Sequence, residues 1–98
     1  MAELLPEEAV TAALATLDGW IWAGGSSGLA RTVKLPSFPA AIAVVDRVAV
    51  VAERMDHHPD IDIRWRTLTF TCVTHSAGGV TDLDLRLATQ INEIIAAV

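Results

Sequence analysis

From Asp60 to Val73 the chain reads DIDIRWRTLTFTCV, and apolar and polar residues alternate twice in succession. Ile61, Ile63 and Trp65 are separated by Asp62 and Arg64, while Leu68, Phe70 and Cys72 are interleaved with Thr67, Thr69, Thr71 and Val73. Side chains of a strand point alternately to its two faces, so each run reads as a half-buried strand. The runs follow each other too closely for a helix between them, so a tight reversal near Arg66-Thr67 must pair them antiparallel.

The flanking segments fit around that pair. Pro6-Glu7-Glu8 followed by Val10, Ala13, Leu14 and Leu17 predicts a first helix: proline suits a first turn, two carboxylates favour the positive end of the helix dipole, and Asp18-Gly19 ends it. Trp20-Ile21-Trp22, a Gly-Ser-rich turn and Leu29 to Leu35 predict a second hairpin, with Leu29, Val33 and Leu35 on one face. Ser37 is placed to cap a long helix that runs through AAIAVVDRVAVVAERM to the stop at Pro59. Gly78-Gly79 separates the last strand from a helix that starts at Thr81-Asp82-Leu83-Asp84 and carries Leu83, Leu87, Ile91, Ile94 and Ile95 on one face. The expected fold is α+β, a four-stranded antiparallel sheet with three helices packed on one face in the order α-β-β-α-β-β-α, forming a single domain over residues 1–98.

The second helix is apolar around most of its circumference. Ile42, Val45, Ala49 and Ala52 define one side and Val44, Val48, Val51 and Met55 another. One stripe suffices to face a core, so the second side is expected to pack on another protomer or another helix.

Charge and composition remove whole classes of function. A net charge of -5 with no basic stripe argues against direct binding of nucleic acid. The chain is 52% hydrophobic, yet no run of about 18 apolar residues is present to span a membrane. Cys72 is the only cysteine, which rules out an internal disulfide framework, and MAELLPEEAV has neither the basic start nor the apolar segment of a secretory signal. A cytoplasmic location is expected.

The chemistry-bearing residues cluster at ERMDHHPDID. Histidine is the side chain that gives and takes protons near neutral pH. The Pro59–Thr74 hairpin returns the chain to its starting edge, so His57, His58 and His75 are expected to share one cleft. Glu53, four residues before His57, can reach an imidazole if the helix persists that far, and Asp84 enters from the first turn of the last helix. Each residue also has a purely structural explanation. Imidazoles at a helix C-terminus interact favourably with its dipole, Glu53 suits a solvated helix face, and Thr81-x-x-Asp84 has the form of a capping box. Tryptophans are mostly core residues, and at least two of Trp20, Trp22 and Trp65 are expected there. A three-histidine metal centre is disfavoured, because adjacent His57 and His58 lack the three- or four-residue spacing of helical ligand pairs. No metal and no cofactor are expected.

In order and spacing, Glu53-x-x-x-His57-His58-Pro59, then Thr74-His75, Gly79-Val80-Thr81 and Asp84, resembles the pterin-4a-carbinolamine dehydratase family. The likeness runs from the first helix and the Gly19-Trp20 corner to the Leu87-Ala88-x-x-Ile91 helix. It implies a hydro-lyase that removes water from a 4a-hydroxytetrahydropterin to give a quinonoid dihydropterin, in support of tetrahydropterin recycling. It also implies His57 and His75 as an acid/base pair and His58 as a pterin-binding residue that supports the hydroxyl. Glu53 and Asp84 would be supporting or ring-contacting carboxylates, and Pro59 would fix the turn. Two residues beyond the proline the family often has an aromatic where this chain has Ile61, so either a ring wall falls to Trp65 or Trp20 or the site is more open. The implied partners are a pterin and further copies of the chain, as homodimer or homotetramer. The alternative is a non-catalytic dimerisation or assembly cofactor on the same fold.

Overall fold

The computed structural model describes residues 2–98. Three helices, α1 (Glu7–Leu14), α2 (Phe38–Met55) and α3 (Asp82–Ala96), and four strands, β1 (Ile21–Trp22), β2 (Leu29–Lys34), β3 (Asp60–Arg64) and β4 (Thr67–Cys72), follow the expected order, with a short 3₁₀ turn at His75–Ala77 added before α3. All pairings are antiparallel, in the order β1-β2-β4-β3.

Register explains which strand residues enter the core. Leu68, Phe70 and Cys72 of β4 are fully buried, and Phe70 lies opposite both Arg31 and Ile61, which puts those residues on the helix-covered face. The other face carries Thr32, Thr69 and Asp62 in one row, and the Thr32 and Thr69 hydroxyls bond at 2.9 Å. The β3–β4 reversal falls on Trp65-Arg66, one residue earlier than the alternation suggested. Trp65 adopts φ +53, a left-handed conformation uncommon for a side chain of this size, with the Arg66 guanidinium 4.5 Å from its ring centroid.

Ser37 caps α2 by accepting from the Ala40 N–H at 3.1 Å. The core stripe of α2 is Ala41, Val44, Val48 and Ala52, which revises the two-sided expectation. Val44, Val48, Val51 and Met55 turn inward, and the ends of this side meet α3: Val44 shares a cavity with Ala97 and Val98, and Met55 shares one with Arg86 and Gln90. Another helix of the same chain therefore covers it. On the other side Ile42 and Val45 are half-buried and Ala49 is exposed.

At its far end α2 closes with a Schellman arrangement. The His57 N–H reaches back to the Ala52 carbonyl at 3.0 Å and the Asp56 N–H to the Glu53 carbonyl at 3.1 Å, with Asp56 in the left-handed region at φ 51. Aspartate is one of the few non-glycine residues that adopt this conformation readily. The reversal takes His57 off the helical path, so the condition under which Glu53 would lie one turn below it does not hold.

Candidate active site

Two helix ends meet at the site, the C-terminus of α2 and the N-terminus of α3. His57, released from α2 by Asp56, bonds through Nε2 to Asp84 Oδ1 at 2.6 Å. Asp84 has no solvent exposure and His57 only 9%. The other carboxylate oxygen, Oδ2, accepts from the Thr81 N–H at 2.8 Å and from the Thr74 hydroxyl at 2.8 Å. Thr81 Oγ1 lies 2.7 Å from Thr74 Oγ1 and accepts from the Leu83 N–H at 3.3 Å. Asp84 is thus the third helical residue of a capping box, and it spends one oxygen on the cap while the other faces an imidazole. Capping and pairing with histidine coexist in one carboxylate.

His58 points elsewhere. Its Nε2 is 2.8 Å from Glu53 Oε1, and both side chains are well exposed. The structure therefore distributes the two acids as Asp84 to His57 and Glu53 to His58. His75 opens the 3₁₀ turn and is exposed. It follows Thr74, whose hydroxyl is bonded to Asp84 and whose N–H bonds the Gly79 carbonyl at 2.9 Å, so the His75 backbone is tied to the network that holds His57. Pro59 lies between the histidines and β3, partly buried in a trans peptide. Among the described residues, no three His, Cys, Asp or Glu side chains converge as a metal-ligand set.

The tryptophans separate. Trp20 is a core residue whose indole N–H donates to Asn92 Oδ1 at 2.7 Å. Asn92 is eight residues beyond Asp84 on α3, about 12 Å along the axis at the helical rise. Trp65 is 68% exposed at the hairpin tip, about 16 Å of strand away from Asp60. Trp22, half-buried with its indole N–H on the Ser27 carbonyl, lines an open cavity of about 340 Å³ with Leu5, Glu7, Ser26, Gly78 and Val80. Gly78 belongs to the loop that follows His75, so of the three indoles Trp22 is the one facing a cavity beside a histidine segment.

The partner of Asp84 that the sequence reading missed is Thr74. Thr74-His75 was visible as a motif, but a threonine at the end of an alternating strand carries no signal of where its hydroxyl points. Cys72, one strand residue from this region, is fully buried, and burial, with the charges of Asp84 and Asp60, pushes its thiol far above the ordinary range. It is a packing residue rather than a nucleophile.

Residues 3–94 match the family described as pterin 4 alpha carbinolamine dehydratase. A protein of Nocardia farcinica named "Putative pterin-4-alpha-carbinolamine dehydratase" is 59% identical over 92 residues, covering 94% of this chain and 95% of that one. A protein of Mycolicibacterium smegmatis with the same name is 53% identical over 93 residues, covering 95% and 97%. The crystal structure of a transcriptional coactivator/pterin dehydratase from Brucella melitensis superposes with a TM-score of 0.88 at 35% identity, covering 93% of this chain and 97% of that one. The chain belongs to the pterin-4a-carbinolamine dehydratase family, a family of hydro-lyases.

Proposed function

We propose that this protein dehydrates a 4a-hydroxytetrahydropterin to the quinonoid dihydropterin by histidine acid/base catalysis, in support of tetrahydropterin recycling. The observation that carries this reading is the buried His57–Asp84 pair, set beside His58 and tied through Thr74 to His75. Loss of water needs a proton delivered to the departing 4a hydroxyl and a proton taken from a ring nitrogen. Neither step changes oxidation state, and positioned imidazoles contribute roughly 10² to 10⁴ in rate to such transfers. His57 and His75 are the acid/base pair in this scheme, and His58, braced by Glu53, meets the pterin and its hydroxyl. Pro59 holds the two histidines at the start of β3. Trp22, rather than Trp20 or Trp65, supplies an indole at the rim.

Self-association belongs to the same proposal. Val50 is 57% exposed on α2 and Ile63 40% exposed on the edge strand β3, and half-buried Ile42 and Val45 adjoin exposed Ala49. Homodimer or homotetramer formation would cover these surfaces. No helix among the described residues is long and apolar enough to cross a membrane, and the single buried, unpaired cysteine suits a reducing, cytoplasmic setting. A second reading, a coactivator or assembly role, draws on the name of the Brucella melitensis structure, which couples both functions.

Stopped-flow ultraviolet measurement of chemically generated 4a-hydroxytetrahydropterin, with and without protein, tests the activity. Acceleration by the wild type that falls steeply in His57→Ala and His75→Ala supports it. No acceleration from folded protein sinks it and leaves the coactivator reading.

A further inference from the structure

Hydrogen-bond direction around Asp84 identifies the ring nitrogen of His57 that is available for chemistry. A carboxylate only accepts. Thr74 must therefore donate its hydroxyl proton to Asp84 Oδ2, and Thr81, whose Oγ1 accepts from the Leu83 N–H, must donate its own proton to Thr74 Oγ1. The chain of donors runs one way, Thr81 to Thr74 to Asp84. On the other carboxylate oxygen, His57 Nε2 must likewise donate. In the neutral ring this leaves Nδ1 with its lone pair, and Nδ1 has no hydrogen-bond partner among the described residues.

We propose that Asp84, oriented by the Thr81 N–H and the Thr74 hydroxyl, is a positioning residue that fixes the tautomer of His57, so that Nδ1 is the nitrogen that exchanges a proton with substrate. The inference rests on the dehydratase reading for its catalytic consequence, but not for its structural content. Both groups are donors aimed at Oδ2, and the backbone N–H cannot reverse its direction. The carbonyl of an asparagine at position 84 must therefore turn to Thr81 and Thr74, which presents the amide NH₂ to His57 Nε2. A nitrogen facing a donor must accept, so the proton moves to Nδ1 and the lone pair turns away from the substrate side. Asp84→Asn is thus a tautomer-inverting substitution of nearly constant shape, the same logic that makes the carboxylate-to-amide change in a serine-protease triad so damaging.

The test is nitrogen-15 NMR of histidine-labelled protein, run alongside the dehydration assay. In the wild type His57 is expected as the Nε2–H tautomer, and in Asp84→Asn as the Nδ1–H tautomer. kcat should fall roughly 10² to 10⁴-fold in Asp84→Asn while KM stays nearly unchanged, as expected when a general acid/base is disarmed without loss of binding. Thr74→Val keeps the carboxylate, so His57 should remain the Nε2–H tautomer, while loss of one donor that orients Asp84 lowers kcat on the order of tenfold, the worth of one hydrogen bond to a charged group. Thr74→Ser should restore kcat. A purely structural role for Thr74 would lower stability and leave kcat alone. A folded Asp84→Asn protein that keeps the Nε2–H tautomer overturns the proposal, as does a Thr74→Val protein whose His57 loses the Nε2–H tautomer. Wild-type protein without dehydratase activity would remove the functional reading, while the NMR result would still decide the tautomer.

Discussion

Replacing Asp84 with alanine deletes one carboxylate and strands three donors. The Thr81 N–H loses its cap, the His57 Nε2–H loses its acceptor, and the two threonine hydroxyls retain two protons but only one mutual acceptor, so one of them is orphaned whichever way they turn. A buried donor left without a partner costs about 1–3 kcal/mol. Water entering the vacated space relieves part of that, and removal of a desolvated charge returns part of its burial cost. The low end for each donor is therefore appropriate, giving a loss of about 3 kcal/mol against the roughly 5–15 kcal/mol of a domain this size. The melting temperature should fall by about 12–24 °C. Asp84→Asn keeps a carbonyl for the cap donors and should cost only about 1 kcal/mol, because a charge-assisted bond becomes a neutral one. Urea titration monitored by tryptophan fluorescence measures both variants, since Trp20 is buried and reports the core while Trp65 is exposed in either state. If Asp84→Ala loses less than about 1 kcal/mol at unchanged denaturant slope, or if asparagine costs as much as alanine, the donor accounting is wrong.

The Glu53–His58 pair is exposed, with side-chain accessibilities of 82% and 57%, so Glu53→Ala should leave the unfolding midpoint within the small range of surface ion pairs, and any loss of activity then reports on chemistry directly. Gly28→Ala places a methyl 2.7 Å from the Cys72 carbonyl, a backbone atom on the adjacent central strand, and should destabilise by about 1–3 kcal/mol in the same titration. Asp56→Val forces a β-branched residue into φ 51 and should cost about 1–2 kcal/mol, whereas Asp56→Asn should be nearly neutral in thermal unfolding. Cys72 should resist a thiol-reactive dye until the protein unfolds. Its folded thiol stays protonated while the unfolded thiol ionises above its ordinary 9.0, so its contribution is intact below that pH and is lost as pH rises beyond it, by up to about 1.4 kcal/mol per pH unit; Cys72→Ala should flatten that alkaline decline in urea midpoints.

Sheet and helices were legible because period and punctuation are local properties. The alternation of Leu68, Phe70 and Cys72 is visible within a few residues, as is the serine that caps α2. The site was legible in part for the same reason. A hairpin of known length returns Thr74 to the edge where His57 began, and the register of Asp60 opposite Thr71 bears this out. The pairing of acids with histidines was not legible, because it depends on a single backbone angle at Asp56. A helix continued by one residue would have left His57 above Glu53; a left-handed residue there turns it toward Asp84, and His58 takes the Glu53 carboxylate instead. The choice between another helix and another protomer for the second side of α2 was not legible for a comparable reason. Apolarity around most of a helix cannot say which side meets α3, and only the antiparallel seating of the two helices turns Val44 and Val48 inward. That same seating brings the end of α2 to the start of α3, so the packing that buries the valines also presents a histidine to a helix-capping carboxylate.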